Sequence, residues 1–222
     1  MKILGRDIKT VVFDLDGTLI DSTGIWAKVD ANFFHNHGME IPSGYSDKIA
    51  SLGLIEAAAF TKKEYNLAES PEEILQMWHD LSFDEYKDTL LLKNSVMPYL
   101  EHLKKKNVKI GLATANSKDL YIPCLERLNV LDYFDVIFDV DESKVTKDNK
   151  KFYELLAKKM DTDPANILLL EDNSKNLQAA FACNYLTIAV HDKASEKYEE
   201  LKRKYSYKFI YDLKEMINEE EQ

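Results

Sequence analysis

The stretch Thr10-Val-Val-Phe-Asp-Leu-Asp-Gly-Thr18 constrains the fold more than any other part of the chain. Val11, Val12 and Phe13 form a continuous apolar run, the pattern of a parallel strand covered on both faces, and Asp14 and Asp16 follow at its carboxyl end. Open α/β sheets bind their ligands at that end of their strands. Gly17 permits the backbone angles of a sharp strand-to-loop turn, so that both carboxylates line one crevice. Two acids so close repel, and either one of them keeps its proton to higher pH or a cation binds. One acid then serves as nucleophile or metal ligand and the other as proton carrier. An isolated Asp-x-Asp is also an ordinary acidic turn. What separates the two readings is whether the rest of the chain brings matching groups to the same crevice.

Several further apolar runs end in polar groups. Val108-Lys-Ile-Gly-Leu-Ala-Thr114 leads to Thr114, Asn116 and Ser117. Asp135-Val-Ile-Phe-Asp139 is followed by Lys144, Lys147, Lys150 and Lys151, and Asn166-Ile-Leu-Leu-Leu runs into Glu171 and Asp172. Tyr185 to Val190 and Lys208 to Ile210 read as two more short strands. Helical patterns at Tyr99 to Lys106, Tyr121 to Leu128, Ser195 to Lys204 and Leu213 to Ile217 alternate with them, and Glu219 to Gln222 reads as a frayed polar tail. This alternation predicts an α/β fold with a Rossmann-like parallel sheet.

Between Leu19 and about Leu91 the strand-like runs disappear. Trp26, Val29, Phe33 and Phe34 stand at helical spacing, and Ile74, Met77, Trp78 and Leu81 form a second apolar stripe. Thr61 with Glu64, Ser70 with Pro71 and Glu73, and Ser82 with Glu85 carry the capping-box pattern of helix starts. The chain therefore reads as a core of residues 1–18 and 93–222 with an inserted helical domain at 19–92. His35 and His37 lie two apart and do not share a helix face, so they read as a polar helix end rather than a metal pair.

With 222 residues, 45% of them hydrophobic, the chain can bury one substantial core and a smaller one. A formal charge of -10 argues against nucleic acid as a partner. Cys124 and Cys183 lie too far apart for a metal or redox motif and read as buried thiols of a reducing compartment. No apolar run reaches membrane-spanning length, and the amino terminus lacks a secretory pattern, so a soluble, cytoplasmic protein is expected, and no interface signature asks for more than a monomer. If such an acidic protein acts on an anion, it must bring positive charge locally, through a divalent cation and one or two lysines.

The string Val-Val-Phe-Asp-Leu-Asp-Gly-Thr-Leu resembles the first motif of the haloacid dehalogenase-like superfamily, whose members are mostly phosphohydrolases and phosphomutases. The resemblance implies Asp14 as nucleophile and Asp16 as general acid and base. It implies Thr114 as the second-motif hydroxyl on the phosphoryl group, with Asn116 close by, and backbone amides after Asp14, at Leu15 and Gly17, holding phosphoryl oxygens. Mg²⁺ would be held by Asp14, the Asp16 carbonyl and the fourth-motif acids Glu171 and Asp172. Lys147, six residues before Tyr153, is similar to the third-motif lysine, with Lys144 as the alternative. The prolines usual there are replaced by Asp148 and Lys150, and two usual glycines by Asn176 and Asn184. The helical insert would act as a lid that selects the leaving group, hinged near Leu19 to Asp21 and Leu90 to Asn94.

The substrate implied is a small phosphorylated metabolite. A β-phosphoglucomutase-like enzyme shares all four motifs and resembles this chain around Gly53, but it carries a phosphate-gripping Arg shortly afterwards. No Arg occurs here between Arg6 and Arg127, which leaves Lys28, Lys48, Lys62 or Lys63 to take its place. Dehalogenation would give Asp16 no leaving oxygen to protonate. A response-regulator receiver, similar at Ile-Leu-Leu-Leu-Glu-Asp-Asn, is excluded by the short chain remaining after Asp172. A non-catalytic metabolite-binding protein on the same fold is the third alternative.

Overall fold

The computed structural model describes residues 1–49, 52 and 54–220. Gly53 and residues 221 and 222 of the expected tail lie outside the described residues. The chain divides into two compact units, Met1–Thr23 with Leu90–Gln222, and Gly24–Thr89.

The larger unit is built on six parallel strands: β3 (Thr10–Asp14), β4 (Lys109–Thr114), β5 (Val136–Asp139), β6 (Ile167–Glu171), β7 (Leu186–Val190) and β8 (Lys208–Ile210). Their order across the sheet is β5-β4-β3-β6-β7-β8. The first two strands of the chain, β1 (Lys2–Ile3) and β2 (Arg6–Asp7), form a separate antiparallel pair. Every residue of β3, β6 and β7 is buried, which is why these segments read as unbroken apolar runs rather than alternating ones. The order places β3 centrally, and the chain moves from it to β4 and β5 on one side and to β6, β7 and β8 on the other. β3 and β6 are adjacent strands leading to opposite sides, the switch point at which such sheets hold ligands.

Several helix bounds differ from the sequence expectation. The second helix after β5, Lys150–Lys159, is capped by the Asn149 side chain on the Lys151 amide, and it starts three residues before Tyr153, the aromatic at which the resemblance to the third motif would start it. The expected helix at Ser195 to Lys204 is a 3₁₀ segment, Lys193–Tyr198, followed by an α-helix, Glu199–Lys204. Glu219 belongs to the last helix, Lys214–Glu220, and its carboxylate pairs with Lys208 of β8, which anchors what the sequence suggests is a loose tail. Asn184 holds a left-handed φ of 67°, a conformation that Asn tolerates next best after the Gly that the resemblance leads one to expect here.

The smaller unit consists of helices Ile25–Asn36, Tyr45–Ile49, Leu54–Tyr65 and Pro71–Asp84, the last running on into a π-helical turn, Glu85–Thr89. Phe33, Phe34, Tyr45 and Trp78 are buried among edge-to-face ring contacts that join three of these helices. Trp26 does not share that face and is 45% exposed. Ser70 and Glu73 form the expected reciprocal capping box. Thr61 and Ser82, by contrast, sit inside helices, where their hydroxyls donate back to the Ala57 and His79 carbonyls. The Ser/Thr-x-x-Glu pattern cannot distinguish a cap from such back-bonding. His37 shares a hydrogen bond with the Phe33 carbonyl and pairs with Glu69, and among the described residues it takes part in no metal cluster.

Candidate active site

β3, its neighbour β4 and its neighbour β6 each end in a polar group, and the registers bring these ends together. Asp14 pairs with Ala113 and Phe13 with Leu170, so Thr114 and Glu171 rise on either side of Asp14. One carboxylate oxygen from each of Asp14, Glu171 and Asp172 lies within 4.8 Å of the others. Asp14 and Glu171 are buried, and Lys147 reaches them from the loop that follows β5 and the short helix Val140–Ser143. Its ammonium donates to Asp14 Oδ1, donates to the Ala113 carbonyl at 2.9 Å and lies 2.9 Å from Glu171 Oε2. Lys144 is exposed and closes the short helix with a φ of 56°, so it is Lys147 that the fold carries to the acids.

On the other side Asn116 Nδ2 donates to Asp16 Oδ2, while the Asn116 amide donates to Thr114 Oγ1 at 3.0 Å. With its oxygen accepting there, the buried Thr114 hydroxyl is oriented to donate elsewhere. The turn after β3 closes on Leu15, whose carbonyl accepts from the Leu19 amide at 2.9 Å and the Ile20 amide at 3.0 Å. Gly17 departs from its expected part. Its amide donates to the Ile20 carbonyl at 3.0 Å and so serves the loop rather than a phosphate. Its φ is 76°, and a Cβ there would lie 2.8 Å from Asp172 Cγ and 3.1 Å from Asp192 Cγ. Gly17→Ala is therefore expected to cost roughly 1–3 kcal/mol through backbone strain alone, before any displacement of Asp172. Thermal denaturation checks this, and an unchanged Tm would contradict it.

Burial first, and the Glu171 charge second, push the Asp14 carboxyl well above the ordinary carboxylate range, although Lys147 pulls the other way. The Asp172 carboxyl is pushed up to about 7 by the same two causes. Burial alone would lower the Lys147 ammonium, but Asp14 and Glu171 outweigh it and hold the lysine charged. Among the described residues Lys147 is the one ammonium in direct contact with this group of three buried or half-buried acids. The pocket is short of positive charge.

Further residues complete the site, none of them given a part in it by the sequence reading. Asn176, in place of a glycine, lies in the helix Ser174–Phe181 and donates to Glu171 Oε2 at 3.2 Å, so the exchange adds a contact instead of straining a loop. Ser195 Oγ donates to Asp172 Oδ2 at 2.7 Å, and Lys202 Nζ donates to Ser195 Oγ at 2.6 Å. Lys93 donates to the Gly17 carbonyl at 2.6 Å and to Asp192 Oδ2 at 3.0 Å. The expected hinges are themselves tied into this unit: the Asp21 amide donates to Leu91 and the Lys93 amide to Leu19, while the unit boundaries fall at 23/24 and 89/90.

The model of the haloacid dehalogenase-like hydrolases matches residues 8–184, a span that holds Asp14, Asp16, Glu171 and Asp172 together with Lys147. The chain belongs to this family. Among the relatives of this family member is a phosphorylated carbohydrates phosphatase of Thermotoga maritima, 23% identical over 78% of this chain and 80% of its own length. A phosphoglycolate phosphatase of Shigella boydii is 28% identical over 80% of this chain and 79% of its own length. The crystal structure of a β-phosphoglucomutase from Clostridium difficile has the same fold, with a TM-score of 0.71 over 92% of this chain and 91% of that one, at 24% identity.

The two thiols, Cys124 and Cys183, are free and buried, and burial pushes each up to about 11, so neither offers a thiolate at neutral pH. Among the described residues no helix is long and apolar enough to cross a membrane.

Proposed function

We propose that this phosphohydrolase removes the phosphoryl group from a small phosphorylated metabolite, a sugar phosphate or similar phosphomonoester, through an aspartyl-phosphate at Asp14. The observation that carries the reading is the convergence of Asp14, Glu171 and Asp172 around one space, with Lys147 as the only ammonium bound directly to Asp14 and Glu171 among the described residues. Three carboxylates are hard oxygen donors of the kind that suit Mg²⁺, and their charge exceeds what Lys147 balances. Their carboxylates and the Asp16 carbonyl would hold the cation. When bound, Mg²⁺ offsets the repulsion between the Asp14 carboxylate and a phosphate dianion.

The chain's own residues supply the rest. An Asp14 oxygen attacks phosphorus in line, the bond to the leaving oxygen breaks, and Asp16 gives that oxygen its proton. Asp16 then takes a proton from water, the water oxygen attacks phosphorus, and Asp14 and inorganic phosphate separate. Asn116, bonded to Asp16, holds that acid in place between the two steps. Lys147 and Thr114 meet the charge that develops on the phosphoryl oxygens.

A mutase would need a cationic grip on a second phosphate. Three of the four lysines considered for it in the helical unit are engaged within that unit: Lys28 with Glu85, Lys48 with Glu64, and Lys62 with the carbonyls of Leu67, Ala68 and Glu69, which leaves Lys63. This favours hydrolysis. Incubation of a panel of phosphorylated metabolites and p-nitrophenyl phosphate with Mg²⁺, and in parallel with a chelator, tests the reading. Free phosphate formed only with the metal is expected. Isomerised sugar phosphate in place of free phosphate, or equal rates under chelation, would overturn it.

A pH signature follows from the acids. With Asp172 pushed up to about 7 from an ordinary value near 3.8, the metal-free folded protein holds a proton that the unfolded chain has released. The stabilisation is full below the unfolded value and is lost as pH rises through the folded one, at up to about 1.4 kcal/mol for each pH unit of the window. Raised Asp14 acts in the same direction. Mg²⁺ replaces the proton, so its gain in Tm should be large at pH 8 and small at pH 5. An equal gain at both would contradict the proposed ligands.

A further inference from the structure

We infer that Ser195 and Lys202 are positioning residues that lock the Asp172 carboxylate in the orientation required for the cation, an inference that rests on the function proposed above. Both lie outside the span matched by the family model. Lys202 is fully buried although it sits in the run Glu-Glu-Leu-Lys-Arg-Lys, whose neighbours face solvent. A buried ammonium must be matched, and here it donates to the Ser195 hydroxyl at 2.6 Å and reaches the Val190 carbonyl at 3.4 Å.

The direction of the chain of hydrogen bonds is dictated by chemistry. A lysine ammonium can only donate. Ser195 Oγ therefore accepts from Lys202, and its own hydrogen must go onward. Asp172 Oδ2 accepts it at 2.7 Å, against a weaker alternative at the Asp192 carbonyl, 3.4 Å away. The Ser195 backbone is fixed by its amide, which donates to the same Asp192 carbonyl at 3.2 Å, and Asp192 in turn caps this turn through the Ala194 amide at 2.9 Å. Gly17 stands close against the same carboxylate, where even a methyl group would collide with its Cγ and Oδ2. Asp172 thus has a donor on Oδ2 and a close backbone packed against the same group. Its cost of ordering is met before any cation arrives, which is what a partner behind a ligand contributes to affinity.

Sequence could not show this. Lys202 resembles any surface lysine of a short charged helix, and Ser195 lies far from the acids along the chain.

The test is Mn²⁺ binding to the metal-free protein, followed by calorimetry or by the electron paramagnetic resonance of the free ion, with Tm measured on each variant. Ser195→Ala should weaken Mn²⁺ binding by about tenfold. Ser195→Thr, which keeps the hydroxyl, should restore most of it. Lys202→Met should act in the same direction as Ser195→Ala, and the double variant Ser195→Ala with Lys202→Met should be no worse than the weaker single one, because both act through one bond. In turnover the half-saturating Mg²⁺ concentration should rise while KM for p-nitrophenyl phosphate holds. A folded Ser195→Ala protein with wild-type Mn²⁺ affinity would overturn the inference and leave the proposed hydrolase intact. Wild-type protein that neither binds Mn²⁺ nor releases phosphate would overturn both.

Discussion

Asp14→Asn is expected to lower phosphate release from p-nitrophenyl phosphate by at least about a thousandfold, the scale on which enzymes lose turnover when the nucleophile is removed. The fold should not suffer. The asparagine keeps an oxygen that can accept from Lys147, and the side chain is nearly isosteric, so the loss is chemical: an amide does not attack phosphorus. Stability should rise. The Asp14 carboxyl is buried beside Glu171, and its charge is unfavourable enough there to push its proton affinity well up. An uncharged amide removes that cost, most of all at alkaline pH without Mg²⁺. Loss of activity together with an equal or higher Tm is the paired result that identifies an acid placed for chemistry against the interest of the fold. Wild-type turnover by Asp14→Asn would remove Asp14 as nucleophile. Lost turnover accompanied by a large fall in Tm would make it a structural residue.

The same distinction between chemistry and packing explains how much of the protein can be read from its sequence. The sheet is legible because fully buried parallel strands are unbroken apolar runs, and Val11 to Phe13 and Ile167 to Leu170 could hardly be anything else. Asp14, Glu171 and Thr114 are legible because each follows such a run directly, so the position along the strand fixes the position in space. Lys147 is less so. Its loop carries several lysines, and the path of the backbone after left-handed Lys144, which no local pattern announces, brings Lys147 to the acids. The contacts of Ser195, Lys202, Lys93 and Asn176 are not legible at all, since they depend on packing between segments that no local pattern connects. Gly17 stands out in the sequence as a special residue, but its reason is the nearness of Asp172 and not an amide offered to phosphate. Thr61 and Ser82 show the converse failure, where a local pattern is satisfied by a helix interior as readily as by a helix start.

Lys147→Met should have the largest effect on stability. The substitution keeps the length and the apolar stem but removes a charge that is 3% exposed and binds two carboxylates. Breaking a buried pair from one side leaves its partners without compensation, a loss of about 3–5 kcal/mol. For a protein of this size that corresponds to a Tm lower by roughly 6–20 °C. The acids can moderate the loss by taking up protons, so the fall should be smallest near pH 5 and greatest at pH 8. Mg²⁺ should recover part of it, because the cation occupies the same group of acids from the other side. Turnover should remain depressed by about a hundredfold even at saturating Mg²⁺, since the phosphoryl oxygens then lose a fixed donor that a more mobile ion does not replace. Lys144→Met is the internal comparison. Its side chain is exposed, so neither Tm nor turnover should move by more than the scatter of surface substitutions, about 0.5 kcal/mol. Equal behaviour of the two variants would mean that the buried lysine is not what balances the acids. The case for a phosphoryl-transfer centre at Asp14 would then lose its electrostatic basis.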